Sequence, residues 1–104
     1  MTSIERLEDV TLRAKHGTPL ADEAVARVVE STAHAIAERT GVTIVTVQVD
    51  PDAITATLRA PTIVSIGFAA ELRRLTEAWY QAKHGVSLWG DVSAPGTGVD
   101  PDAL

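Results

Sequence analysis

Glu30, His34 and Glu38 recur at intervals of four residues, which places them along one face of a helix. A histidine between two carboxylates can ligate a metal ion or act as a general base. The same face also carries Arg27 and Ser31, as a solvated helix surface does, and ion pairs at this spacing add only about 0.2–0.5 kcal/mol each. We therefore predict a solvent-exposed face without a metal or catalytic site.

A second set of chemically capable residues lies near the end of the longest apolar repeat. Tyr80 and His84 are four residues apart, and Trp79 and Trp89 are close to them in sequence. These side chains could frame a pocket for an aromatic ligand. Core packing with a histidine at the helix end explains the same pattern more simply, so no site is assigned here. Trp79, Tyr80 and Trp89 are the candidate residues of a subunit interface.

The sequence contains no established catalytic motif, and it has no cysteine. We therefore predict no cofactor, and these absences favour a non-catalytic protein over an enzyme. The alternative is a small enzyme or ligand-binding subunit that uses His34 with Glu30 and Glu38, or His84 with Tyr80.

Tyr80 and His84 are positioned by a long predicted helix that ends near His84. Its apolar side chains recur every three or four residues, and Lys83, His84 and Gly85 form a typical helix end. Thr62 or Ser65 is expected to cap its start. The apolar stripe comprises Val64, Phe68, Leu72, Leu75, Trp79 and Ala82.

Residues 43–60 read as a β-hairpin because apolar and polar residues alternate on both sides of Asp50-Pro51-Asp52-Ala53. Aspartate followed by proline is typical of a type I turn. The expected inward pairs are Val49–Ile54, Val47–Ala56 and Val45–Leu58. The expected outward pairs are Thr46–Thr57 and Gln48–Thr55.

Two segments precede the hairpin. Thr18 and Pro19 are expected to begin a helix that runs to Thr40 and ends at Gly41. Residues 2–16 fit a helix or a strand at Val10–Ala14. We favour the helix because the string Ala-Lys-His-Gly at 14–17 recurs at 82–85, where it closes the long helix.

The sequence therefore predicts an α+β fold, a two-layer sandwich in the order helix, helix, β-hairpin, helix, with room for a short C-terminal strand at Val86–Trp89. If Val10–Ala14 is a strand, the order becomes βαββαβ, a ferredoxin-like sandwich. We expect residues 1–89 to form one α+β domain and residues 90–104 to be an acidic flexible tail, since that stretch contains three aspartates and no basic residue.

The formal net charge of −5 and the lack of a basic stripe disfavour binding to nucleic acid and to anionic membranes, so we expect neither as a partner. The first residues do not resemble a secretory signal, which with the missing cysteines predicts a cytoplasmic location. Two strands alone are not a stable sheet. We therefore expect a small non-catalytic interaction or assembly protein that self-associates as a homo-oligomer, or an accessory subunit that binds a protein partner.

Overall fold

The computed structural model describes residues 6–90 of the chain, which form a three-stranded antiparallel sheet and two helices. The protein thus has an α+β fold. Apart from Gly90, the predicted acidic tail lies outside the described residues, as do residues 1–5. The elements in chain order are β1 (Arg6–Arg13), a short 3₁₀ turn (Pro19–Ala21), α1 (Glu23–Thr40), β2 (Thr43–Asp50), β3 (Ala53–Ala60) and α2 (Thr62–His84).

The first segment is a strand, so the predicted N-terminal helix is wrong. β1 pairs antiparallel with β3 along its whole length, from Arg6 opposite Ala60 to Arg13 opposite Ala53. Val10 and Leu12 point into the core, as the strand interpretation required. The physical reason is tertiary, because β3 needs a partner on its second side and the alternation at residues 10–12 provides one.

The hairpin forms as predicted except near its open end. Asp50 pairs with Ala53 across a two-residue turn, and the pairs Val49–Ile54, Val47–Ala56, Gln48–Thr55 and Thr46–Thr57 are all present. The predicted pair Val45–Leu58 is wrong, because Ile44 lies opposite Leu58. Val45 is the extra residue of a β-bulge and is 43% exposed.

The helix predicted from Thr18 begins later than expected. Pro19–Ala21 is only a 3₁₀ turn, and Asp22 is the N-cap of α1, accepting a hydrogen bond from the backbone nitrogen of Ala24 at 2.9 Å. Gly41 ends the helix in the left-handed conformation, at φ 75°. Asp22 accepts this bond with its carboxylate, whereas Thr18 makes no side-chain capping bond.

Helix α2 has the predicted span, although neither Thr62 nor Ser65 caps it through a side chain. Pro61 is the N-cap, and the Ser65 hydroxyl instead donates to the Pro61 carbonyl at 3.3 Å. Gly85 ends α2 with φ 76°, after Lys83 and His84 in the last turn.

The core lies between both helices and one face of the sheet. Its most deeply buried members come from every layer: Val29 and Ile36 of α1, Ile54 and Leu58 of β3, and Leu72 of α2. The strand order β1-β3-β2 puts β3 in the centre. Between residues 6 and 90, no helix combines the length and apolar character that crossing a membrane requires.

Candidate association surfaces

The acidic and histidine row on α1 is a solvent-exposed face. Glu30, His34 and Glu38 are all exposed, and Arg27 beside them pairs with Glu23 at 3.5 Å. Within residues 6–90, no three histidine or acidic side chains come together as a metal site would require.

The aromatic residues in the last turns of α2 and in the segment after it are divided between surface and core. The Tyr80 and His84 rings lie with centroids 4.3 Å apart and an interplanar angle of 35°, and Trp79 is 6.2 Å from Tyr80. Trp79 and Tyr80 are half-buried against the core and His84 is exposed. An interface role for Trp79, Tyr80 and Trp89 stays a prediction. Trp89 is only 1% exposed and is part of the core.

Trp89 is held in the core by α2. Its indole nitrogen donates to the Thr76 hydroxyl at 2.9 Å, and Thr76 in turn donates to the Leu72 carbonyl of the preceding turn. The backbone nitrogens of Leu88 and Trp89 both donate to Glu77 Oε1 at 3.1 Å. The segment after α2 is therefore fixed by two consecutive helix residues, Thr76 and Glu77.

Glu77 is the residue that sequence reasoning missed. Its second carboxylate oxygen accepts hydrogen bonds at 2.7 Å from the Ser87 hydroxyl and from the Gln81 amide. Burial by itself would raise the pKa of Glu77, but the hydrogen bonds from Ser87, from the backbone nitrogens and from Gln81 together lower it. No sequence signal identifies this role, because its partners Ser87, Leu88 and Trp89 lie beyond the end of the helix.

The segment fixed by Glu77 closes one end of the β1 edge. Trp89 forms an isolated antiparallel bridge with Ala14, the Lys15 nitrogen donates to the Leu88 carbonyl at 2.9 Å, and the Gly90 nitrogen donates to the Arg13 carbonyl at 2.9 Å. The predicted strand at Val86–Trp89 is thus reduced to this single bridge. It lies beside β1, on the side away from β3.

The opposite edge of the sheet is formed by β2. In the described part of the chain, β2 pairs with β3 alone. It contains no lysine, arginine or proline, and Asp50 at its end is its one charged residue. Its inward-facing Ile44, Val47 and Val49 are only half-buried. The edge therefore has few of the charged residues that commonly protect edge strands, although the bulge at Val45 interrupts it.

A third surface lies at the start of α2. No charged side chain occurs from Thr62 to Ala70, yet Ile63 is 78% exposed and Ile66 is 56% exposed. Beside them is a groove of about 400 Å³ between the end of α1 and the start of α2. Exposed apolar residues next to a groove are typical of interaction surfaces. The groove is lined by Ile36, Arg39, Thr40, Val42, Val64, Gly67, Phe68 and Glu71.

The rim of this groove carries a small ion-pair network. Glu71 accepts hydrogen bonds from Arg74 at 2.9 Å and from Arg39 at 3.1 Å. The hydrogen bond from the Arg74 guanidinium, supported by Arg39, holds the pKa of Glu71 below its usual value. Arg39 joins the end of α1 to α2 through this contact.

No protein-family model matches the chain, and no curated protein is significantly similar to it. Its fold is similar to that of a solved structure described as a "putative transposase from deinococcus radiodurans r1", with a TM-score of 0.63 and 22% sequence identity. The similarity covers 85% of this chain and 75% of that chain. At this identity the likeness concerns the fold alone.

Proposed function

We propose that this chain is a small non-catalytic protein that self-associates as a homo-oligomer. The observation that carries the proposal is the β2 edge, where an uninterrupted row of backbone groups from Thr46 to Asp50 lacks a neighbouring strand in the described chain. Strand addition at such an edge is a common mode of protein association, since backbone hydrogen bonds supply affinity without any special side chain.

The half-buried residues of β2 support the same conclusion. On the inner face of the central strand, Ile54 and Leu58 are 1% and 0% exposed, whereas their neighbours Val49 and Ile44 on β2 remain half-buried. Extending the sheet past β2 would remove more of this apolar area from water, a gain of about 25 cal/mol per Å².

The non-catalytic part of the proposal rests on the separation of the candidate residues. Glu30, His34 and Glu38 lie exposed on α1, and His84 stacks on Tyr80 at the far end of α2. Neither set lines the groove. Catalytic acids and bases are normally convergent groups within a cleft.

We also propose that the chain does not bind nucleic acid, despite its fold similarity to a protein described as a transposase. The net charge is −5, and phosphate backbones require clustered lysine and arginine. Fluorescence anisotropy with labelled single-stranded and double-stranded oligonucleotides at low salt tests this point. Salt-sensitive binding would contradict it.

Sedimentation velocity across the micromolar range tests self-association. The expected result is a concentration-dependent shift from the 11.0 kDa monomer to a species of at least twice that mass. The enzyme alternative predicts instead that metal ions or small ligands raise the melting temperature and that His34→Ala or His84→Ala abolishes the rise. A monomer at every concentration would refute the proposal.

A second candidate function is that of an accessory subunit, and the apolar start of α2 favours it. Ile63 and Ile66 would be anchors for a protein partner, with the groove beside Gly67 receiving one of its side chains. The Cβ position of Gly67 has no atom within 4 Å, so Gly67→Leu introduces a side chain that begins in open space at the groove wall.

The accessory-subunit function is tested with partners copurified from the native host. Ile66→Glu and Gly67→Leu are expected to lose a specific partner. Leu7→Glu alters an apolar residue on β1 that is at least as exposed as Ile66, and it is expected to keep the partner. If all three variants retain the partner equally, the start of α2 is not its binding surface.

The order of the strands and helices also supports the ferredoxin-like alternative, βαββαβ. The order agrees from β1 to α2, and we propose that the Ala14–Trp89 bridge takes the place of the last strand. This class of fold supports many unrelated functions, so the assignment adds nothing to the functional argument.

A further inference from the structure

We infer that two copies of this chain pair antiparallel through β2, with a two-fold axis at Gln48, to form one continuous six-stranded sheet. The inference rests on the proposed self-association and specifies its surface and register. It goes further because it names which residues of one copy lie opposite which residues of the other.

The faces of β2 limit the register to a two-fold axis at a residue, and Gln48 is the central residue of the regular edge from Thr46 to Asp50. Residues directly opposite each other in an antiparallel pair lie on the same face of the sheet. Val47 and Val49 face the core, and Thr46, Gln48 and Asp50 face outward beside Thr57, Thr55 and Ala53. An axis at Gln48 places Val47 opposite Val49 of the second copy, and it therefore matches inward residues with inward residues.

The outward side chains are complementary in this register. Thr46 of one copy lies opposite Asp50 of the other, so a hydroxyl donor meets a carboxylate acceptor. Gln48 lies opposite Gln48, and each amide has a donor and an acceptor to exchange. In the single subunit the Gln48 amide donates to Asp50 at 3.2 Å, so the outward polar groups of β2 already interact along the strand.

Charge also favours a second copy as the occupant. The one charge of β2, at Asp50, lies at an end of the strand, so the two aspartates of a pair are at opposite ends of the interface. Like charges directly opposite each other destabilise a strand pair, and this register has none. By contrast, the β1 edge carries Arg6, Glu8, Asp9 and Arg13, and its end is bridged by Trp89.

The bulge limits how long the interface can be. It displaces Val45, so the regular edge is the five residues from Thr46 to Asp50. A short edge pair gives a moderate rather than a very tight dimer, because stable interfaces bury about 800 Å² on each partner. The dimer is accordingly expected at micromolar concentrations.

Site-directed disulfide formation tests the register, since the chain has no native cysteine. In Gln48→Cys the two thiols face each other across the axis at a separation that a disulfide can span. The expected result is a covalent dimer under mild oxidation. Leu7→Cys is the matched control, because Leu7 is exposed on the same outer face at the other edge, and it is expected to stay monomeric.

Charge insertion provides an independent test. Gln48→Lys would place two ammonium groups opposite each other. We expect the dissociation constant of the dimer, measured by sedimentation, to rise at least tenfold. Leu7→Lys is expected to leave the dimer unchanged. Far-ultraviolet circular dichroism checks that both variants fold.

The possible results distinguish self-association itself from the β2 register. A wild-type dimer whose Gln48→Cys variant forms no more disulfide than Leu7→Cys would overturn the β2 register and leave self-association standing. A wild-type monomer at all concentrations would overturn both, and it would leave the β2 edge to a strand from another protein.

Discussion

The two edges of the sheet end in different ways. β1 carries four charged side chains, and its C-terminal end is bridged by the Trp89 segment, which Glu77 and Thr76 hold in place. β2 carries one charged residue and, among residues 6–90, pairs with a single strand, β3. The fold thus protects the β1 edge with charged residues and a covering segment, and it leaves the β2 edge available for pairing with another strand.

This contrast shows how a small sheet can allow strand pairing at one edge and prevent it at the other. Edge strands invite uncontrolled association, and charges, bulges and covering segments are the usual protections. β1 has two of these protections, and β2 has only the bulge at Val45. Self-association through β2 alone would give a closed pair, whereas two open edges would permit an endless sheet.

The largest effect is expected from removing the residue that covers the β1 edge. Trp89→Ala deletes a fully buried indole and its hydrogen bond to Thr76, and such substitutions cost about 3–5 kcal/mol. Urea unfolding measures the loss. Trp79→Ala is the control, since Trp79 is only half-buried and should cost less. Equal losses would show that the segment is not anchored as described.

Glu77→Gln should have the next largest effect. It keeps the shape of the side chain but removes the charge that four donors share, and hydrogen bonds to charged groups contribute about 2 kcal/mol. Faster hydrogen exchange at the amides of Leu88 and Trp89 should accompany the lower stability. Glu30→Gln, on the exposed face of α1, provides the control and should change neither measurement.

Deleting Val45 should sharpen the difference between the edges. Ile44 and Thr46 already pair with the consecutive residues Leu58 and Thr57, so the deletion removes the bulge and retains the register. The regular β2 edge becomes longer, and self-association should strengthen about fivefold, which corresponds to about 1 kcal/mol. Sedimentation equilibrium measures this change. Weaker association would indicate that the bulge itself contributes to the contact.

The smallest effect concerns pH. The pKa of Glu77 is lower in the folded protein than the usual pKa of a glutamate, so its contribution to stability is fully present above that usual pKa. The contribution is lost as the pH falls through the folded-state pKa. The difference in unfolding free energy between the wild type and Glu77→Gln should therefore narrow in acid. A difference that stays constant down to strongly acidic pH would contradict this account.

Much of the fold is predictable where the signal is local. The turn at Pro51 and Asp52 and the alternation on either side determine the hairpin and four of its pairs. The apolar repeat of α2 and its terminal Gly85 determine the long helix. In each case the sequence pattern and the turn or cap chemistry point to the same structure.

The N-terminal strand was missed because a short string was given too much weight. Ala-Lys-His-Gly follows a strand at residues 14–17 and closes a helix at residues 82–85. What the copies share is a left-handed glycine, with φ 64° at Gly17 and 76° at Gly85. The string thus specifies where an element stops and carries no information on which element precedes it.

The candidate surfaces depend on long-range contacts and are less accessible to sequence reasoning. Exposure of the α1 row was predictable from its periodicity. The burial of Trp89 was not, because it depends on Thr76 and Glu77 of α2 and on the end of β1. The bulge at Val45 was also missed, since Val45, Val47 and Val49 alternate as a regular strand would.

The central position of β3 sets an order for folding. Its pairing with β2 needs only a two-residue turn, whereas the hydroxyls of Thr11 and Thr55 that join it to β1 come from residues 44 apart in the chain. Closing the longer loop costs more entropy and is slower. The hairpin should therefore form early and β1 should dock late. Until it docks, the nascent chain has two unsatisfied strand edges, and chaperones or rapid helix formation would be most useful in that interval.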